Sequence, residues 1–391
     1  MARIGFAFNL KPDADDAAVF QDESGVADEE PPASPSQDRS TAVAVRPTRS
    51  ALLAQSDEFA EWDSEETIAA VEHALRGLGD VVRLEANADF PERLRRTAPD
   101  IVFNMAEGLR GRNREAHVPA ICEFLGVPYS GSDPFTLSLC LDKRRTKETL
   151  AYHEIPTAAF AVVECAAELE RLVETVRHGR RHRRALLRLP LFVKPVHEGS
   201  SKGITERNLC ETLDTLETRV LELLEQYAQP VLVETYLPGR EFTCAVLGNG
   251  PSARVLPLIA LRFDALPRGA RPIYGFEAKW LWDGPEHQLE LYDCPARTDA
   301  ALERRIVRVT LDAYRALGCR DWARIDVRLD ADGMPNVVEA NPLPGVLPDP
   351  RDNSCMPKAA RAAGMSYDEL IQACLSAAAK RWGVEGLGAR N

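Results

Sequence analysis

The chain has 391 residues, 45% hydrophobic and 28% charged, with a formal net charge of −12. That length implies two or three domains of an ordinary globular protein; the charge outside one acidic segment is nearly balanced and says little about a partner, and a nucleic-acid partner is not expected. No apolar run reaches a signal peptide or a membrane span, so no membrane partner is expected.

In chain order, "RIGFAF" (3–8) reads as a buried strand. Residues 11–58 are rich in Asp, Glu, Ser and Pro and read as a disordered or loosely held insertion. Most of the net charge sits there, since residues 12–40 hold nine acids and one arginine. A helix follows from "DSEETIAAVEHALRGLG", with Asp63 as N-cap, Glu66 three residues on, and Ile68, Val71, Leu75 and Leu78 as one stripe. Next come a strand "DVVRL", a helix at about 89–97, a strand at 100–104 and a helix from near Glu115. This alternation predicts a parallel α/β unit over 1–130. A second unit over 131–236 carries "LFVKPV" (191–196), a helix at about 209–227 and "VLVETYL" (231–237). A third, over 237–391, opens with "EFTCAVLG" and adds further strands and helices at about 299–317 and 366–380. The nine cysteines are dispersed, with no CxxC pair and no zinc spacing, and read as reduced thiols of a cytoplasmic protein. "RHGRRHRRALLR" (177–188) is either a solvated surface loop or a contact for an anion or acidic partner.

The stretch that carries chemistry is "ARIDVRLDADGMPNVVEAN" (323–341), two strands about an Asp-Gly turn. A turn centred between Asp332 and Gly333 pairs Asp326 with Glu339 and Arg324 with Asn341, all four on one face. Two opposed carboxylates repel unless a cation lies between them. Asp326, Glu339 and Asn341 therefore read as an oxygen cradle for Mg²⁺ carrying a nucleotide, with Arg324 beside it for developing negative charge. The alternative is a solvent-facing polar edge. "VKPVHEGSSKG" (193–203) places Lys194 at a strand end before a segment rich in N–H and hydroxyl donors, either a phosphate flap or a plain turn. "LDK" puts Lys143 near a helix start, and "VETYLPGREF" suits a hinge between two lobes.

These pieces occur in a specific order: "DIVFNMAEG", "GVPYSGSDPFTLSLCLDKRRTK", "FVKPVHEGSSKG", "VLVETYLPGREFT", "EAKW", "YDCPA", "ARIDVRLD", "VVEANPLPG" and "MPKAARAAGMSYDELI". Over about residues 60–380 the chain resembles the D-alanine–D-alanine ligase branch of the ATP-grasp superfamily. The resemblance implies a three-domain α/β ATP-grasp fold with an N-terminal parallel α/β domain. It also implies a carboxylate–amine ligation that passes through an acyl phosphate made from ATP. On matching motifs, Lys143, Lys194 and Lys279 would contact ATP, with Ser200 and Ser201 in the phosphate flap. Glu234, Tyr236 and Leu237 would lie around the adenine and Glu241 at the ribose. Asp326, Glu339 and Asn341 would hold two Mg²⁺ ions, with Mn²⁺ as a substitute. Arg324 would stabilise the acyl-phosphate and tetrahedral species, and Ser354 would grip the acceptor carboxylate. The implied partners are small amino acid or amine substrates, and the family suggests a homodimer.

Three departures bear on substrate. The family's "HGxxGEDG" stretch is "EGLRGRNREA" (107–116) here. Glu115 stands in for its aspartate, the histidine is lost, and Arg110, Arg112 and Arg114 are gained. These arginines are either solvated or paired with a carboxylate- or phosphate-bearing substrate. Trp280 replaces a tyrosine after the "EAK" lysine, giving the substrate pocket a flat apolar wall. The loop before Ser354 is longer by about four residues. Glu61 is the candidate for the glutamate that binds the first amino group, against the alternative of an acid at a helix N-terminus with no substrate role. D-Ala–D-Ala ligation for peptidoglycan is the default expectation. The alternatives are a paralogous ligase making another dipeptide or amide, and an ATP-binding regulatory protein without turnover.

Overall fold

The computed structural model describes residues 1–12, 61–182, 186–275 and 289–388. Most of the expected 11–58 insertion, part of the arginine-rich segment, and both Lys279 and Trp280 lie outside them. The described part of that segment is largely exposed.

The first unit contains β1 (Arg3–Phe8), α1 (Glu65–Arg76), β2 (Asp80–Glu85), α2 (Phe90–Thr97), β3 (Ile101–Asn104) and α3 (His117–Leu125). Its strands form a parallel sheet in the order β2-β1-β3. β1 is apolar on both faces because helices cover both, as a parallel sheet requires. Residues 9–11 lie beside Asp63: Asp63 N donates to Asn9 O at 3.0 Å, and Lys11 N to Asp63 O at 2.8 Å. The chain thus leaves after Pro12 and returns at Glu61 in the same place. This ladder corrects the expected helix cap. Asp63 is held extended by its backbone bonds, so the next residue, Ser64, caps α1 by accepting from Thr67 N at 3.3 Å.

The second unit contains α4 (Pro134–Leu141), α5 (Lys143–Tyr152), β4 (Phe160–Val163), α6 (Ala166–Arg177), β5 (Leu191–Pro195), β6 (Leu209–Cys210), α7 (Leu213–Tyr227) and β7 (Val231–Thr235). Its sheet is antiparallel, order β4-β7-β5-β6. Leu169, Leu172 and Val173 of α6 and Leu216, Val220 and Leu223 of α7 pack on Val193, Val231 and Val233. Asp142 caps α5 through Arg145 N, which places Lys143 at the first helical position.

The third unit contains β8 (Glu241–Leu247), β9 (Arg254–Val255), β10 (Ile259–Leu261), β11 (Tyr292–Asp293), α8 (Ala300–Ala316), β12 (Trp322–Leu329), β13 (Pro335–Asn341), α9 (Cys355–Ala362) and α10 (Tyr367–Trp382). The sheet order is β11-β10-β8-β12-β13, with β9 paired to β8. Period-two alternation splits its faces. Phe242, Cys244, Val246, Ile325 and Val327 pack on Ile306, Val309 and Ala313 of α8. On the other face Ala245 and Trp322 join the core of the first unit, where Ile4, Phe6 and Leu75 meet Leu370, Ile371 and Leu375 of α10. The rest of that face, Glu241, Thr243, Arg324, Asp326, Arg328 and Glu339, lines an open cavity.

Candidate active site

Arg324 pairs with Asn341 and Asp326 with Glu339, as the sequence predicts, but the turn differs. Nearer the turn the pairs are Val327–Val337 and Leu329–Pro335, so the loop centres on Asp332, and a bulge between the two registers adds Val338. The extra residue restores the register and keeps both carboxylates on the cavity face.

The cavity lies between the sheets of the second and third units. Its lining includes Phe192, Ile204, Tyr236, Leu237 and Val338 together with Lys143, Lys194, Ser200, Ser201, Tyr292, Asn353 and Ser354. A second cavity shares Lys143, Ser200, Arg324 and Glu339 with it and adds Asn341, Glu61, Asp63, Glu107 and Glu115. The two hold every expected site residue except Lys279 and Trp280, which fall outside the described residues.

Electrostatics organise the site. Lys143 Nζ lies 3.0 Å from Glu339 Oε1, and it also donates to Glu198 O. Burial works against ionisation of Glu339, yet Lys143, Lys194 and Arg324 together hold its pKa down at about 2. Asp326 moves the other way: burial and the facing Glu339 raise it, against Arg324 Nη2 at 3.2 Å. Below them Glu234 joins two buried lysines, Lys147 at 2.7 Å and Lys194 at 2.9 Å, which outweigh its burial and hold it at about 2. Arg328 donates to Glu241 Oε2 and to the Tyr236 hydroxyl, each at 2.8 Å, and stacks 4.9 Å from the Tyr236 ring centre. Ser354 stands at the N-cap position of α9 with no side-chain bond to the helix; its Oγ instead accepts from Leu347 N at 3.1 Å and donates to Gly345 O.

The donor set fits a hard divalent cation. Asp326, Glu339 and Asn341 offer only oxygen ligands, and Asp326 Oδ1 is buried with no hydrogen-bond partner among the described residues. The flap is shaped for close approach as well: Ser200 and Ser201 both adopt left-handed φ, 48° and 61°, a conformation that non-glycine residues hold only under constraint.

The family model for the D-Ala D-Ala ligase C-terminus matches residues 150–376. The D-alanine–D-alanine ligase of Bordetella petrii is 37% identical over 286 residues, 72% of this chain and 76% of that protein. The chain belongs to the D-alanine–D-alanine ligase family. The Bordetella avium member is 33% identical over 309 residues, covering 79% of this chain and 87% of its own. The fold is ATP-grasp: it superposes on the ATP-complexed D-alanine–D-alanine ligase of Bacillus anthracis with a TM-score of 0.60, at 21% identity, covering 99% and 100% of the two chains.

Three residues of this ligase-family site escaped the sequence reading. Arg328 follows Arg324 and Asp326 at the same strand parity, and that alternation was the available signal. Lys147 lies one helical turn beyond Lys143 on α5. Thr243 faces Asp326 from β8, a pairing fixed only by sheet order, which no local pattern encodes.

Proposed function

We propose that the chain is an ATP-dependent ligase that joins D-alanine to D-alanine through an acyl phosphate. The observation that carries this reading is the opposed Asp326–Glu339 pair, set with Arg324, Lys143 and Lys194 around one cavity in a member of this family. ATP is a substrate here. Its adenine fits the slot of Phe192, Tyr236 and Leu237, its ribose meets Glu241, and its phosphates face Lys143, Lys194, Ser200 and Ser201. Asp326, Glu339 and Asn341 would hold Mg²⁺, two ions by family likeness, which neutralises phosphate charge when bound.

In the first step a carboxylate oxygen of the donor amino acid attacks the γ-phosphorus. The bond to the bridging oxygen breaks and ADP leaves with that electron pair. In the second step the acceptor amine attacks the acyl carbon, loses a proton and expels phosphate, leaving an amide. Lys143, Lys194 and Arg324 compensate charge on the transferring group, and Arg324 does so again for the tetrahedral oxyanion. The flap excludes water that would hydrolyse the acyl phosphate. The acceptor carboxylate binds at Ser354, where the N-terminus of α9 favours an anion.

Purified protein given ATP, Mg²⁺ and D-alanine releases phosphate and forms the dipeptide in equal amounts, read by phosphate assay and product mass. A second ligase reading, with a different amine acceptor, is favoured by the loop at 107–116. There Glu107 and Glu115 line the adjoining cavity where the family's histidine is lost, while Arg110, Arg112 and Arg114 line a separate neighbouring cavity. Phosphate release with another amine and none with D-alanine selects it.

A further inference from the structure

A third cavity lies beside the second, shares Glu61, Trp62 and Glu198 with it, and is cationic. Arg110, Arg112 and Arg114 reach it from the 107–116 loop, and His197 and Lys202 from the flap segment. Gly108 sets the turn of that loop. Its φ is 81°, and a Cβ there would collide with Arg114 O, so only glycine lets the loop fold back and bring all three arginines to one cavity.

The cations outnumber the acids that satisfy them. Arg114 Nη2 donates to Glu61 Oε2 at 2.7 Å, and Lys202 Nζ lies 3.5 Å from the same oxygen, so one carboxylate serves two cations. The other acid of the lining, Glu198, accepts from Gln229 Nε2 at 2.7 Å. Arg110 and Arg112 are exposed and make no hydrogen bond or ion pair among the described residues. His197 is fixed through its backbone N–H, which donates to Gln229 Oε1 at 2.7 Å. Its side chain is 13% exposed, and the buried Nδ1, 3.9 Å from Asp142 Oδ2, has no hydrogen-bond partner among the described residues. Burial lowers the pKa of this ring, and Arg112 adds to that effect against Asp142. Like charges gathered at one cavity repel unless an anion lies between them. Guanidinium forks, an ammonium and an imidazole together supply more donors than the two oxygens of a carboxylate use well, and suit the three terminal oxygens of a phosphate group.

We propose that this cavity binds a phosphate group, free or as a phosphomonoester, separately from ATP, and that the bound group ties the flap to the 107–116 loop. The site is independent of the ligase reading, since binding alone reveals it. The flap segment that carries His197 and Lys202 also carries Ser200 and Ser201, which line the main cavity. An anion held by loop and flap together therefore favours the nucleotide-bound flap, and by linkage the nucleotide strengthens the anion in the same ratio.

The test is calorimetric titration of the full-length protein with inorganic phosphate. Mg²⁺ and the non-hydrolysable analogue AMPPNP are already bound, so the nucleotide's own phosphate positions are filled, and potassium chloride keeps the ionic strength constant. Wild type binds phosphate at one saturable site. The double variant Arg110→Gln, Arg112→Gln weakens it by about 10-fold or more, the worth of a charge-assisted hydrogen bond. Its AMPPNP affinity in phosphate-free buffer stays at the wild-type value, which reports folding, and either single variant carries the test if the double does not fold. Arg304→Gln with Arg308→Gln, exposed on α8 and outside the cavity, leaves phosphate binding unchanged. Phosphate tightens AMPPNP binding by about 5-fold or more in wild type and not in the Arg110, Arg112 variant. Glycerol 3-phosphate separates the sources: tighter binding than inorganic phosphate supports a phosphomonoester, weaker binding the free ion. The proposal is overturned by no saturable binding in wild type, by binding undiminished in the Arg110, Arg112 variant or equally diminished in the α8 variant, by citrate binding more tightly than either phosphate, or by AMPPNP affinity indifferent to phosphate. A protein that binds phosphate here and forms no dipeptide refutes the ligase reading alone. One that ligates and binds no phosphate here refutes this one alone.

Discussion

Asp326 and Glu339 stand opposite each other across the β12–β13 ladder, and their surroundings move their protonation in opposite directions. Facing carboxylates are a cost to the folded chain, so their removal separates stability from activity. Asp326→Asn raises the thermal midpoint or leaves it unchanged while lowering kcat by about 10²- to 10³-fold, the loss typical of a removed charge-stabilising group. Chelation with EDTA gives the same loss in wild type, and Mg²⁺ or Mn²⁺ restores it. Calorimetry and steady-state kinetics on the same preparations check both halves.

Arg324 supplies a planar cation at the cavity wall, half-buried beside Asp326. Arg324→Lys keeps the charge but not the fork, and that geometry matters for an oxyanion. The expected loss is again about 10²-fold or more in kcat, with nucleotide affinity within a few-fold of wild type. A selective loss of nucleotide affinity instead would move Arg324 out of the chemistry.

Glu234 is the shared counter-ion of Lys147 and Lys194, and all three are buried. Glu234→Gln leaves two buried ammonium groups without their partner and costs about 3–5 kcal/mol in urea unfolding. The pH dependence follows from the lowered pKa. The carboxylate's contribution is complete above its ordinary value of 4.5 and disappears as pH falls through about 2. The stability gap between wild type and variant is therefore wide at neutral pH and closes in strong acid.

Arg328 links the Tyr236 ring to Glu241. Without it the Glu241 carboxyl, already raised by burial, loses its cation. Arg328→Ala raises the KM for ATP by about 10-fold or more, the equivalent of one charge-assisted hydrogen bond, and leaves kcat at saturating ATP nearly unchanged.

Ser200 and Ser201 hold consecutive left-handed conformations in the flap. Glycine at either position removes a penalty of about 1 kcal/mol, while valine adds to it. Ser201→Val thus weakens ATP binding and raises the share of ATP hydrolysed without dipeptide, read as the ratio of phosphate to dipeptide. Ser201→Gly leaves that ratio closer to wild type, since only the hydroxyl contact to Tyr274 O is lost.

Much of this site is written locally. The Asp326–Glu339 pairing follows from strand parity and a nearby turn, and Lys143 at the start of α5 follows from the Asp142 cap. Even so, the turn centre in the sequence reading was displaced by half a residue, and the Val338 bulge compensates for it. Bulges leave no mark in alternation over so short a strand. Thr243 and the Lys147–Glu234 pair depend on which strands and helices become neighbours across the chain, which local patterns do not state. The Ser64 cap was missed for a similar reason. Asp63 and Ser64 are equally good capping side chains, and a contact to residues 9–11 holds Asp63 out of the helix.

The central claim is that a substrate carboxylate is phosphorylated before the amide forms. The most direct measurement uses D-alanine labelled with ¹⁸O in its carboxylate, ATP and Mg²⁺, with the released phosphate analysed by mass. The account predicts one ¹⁸O in phosphate for each dipeptide made, because the oxygen that attacks phosphorus leaves with it. Phosphate without label, or no phosphate dependent on D-alanine, contradicts it.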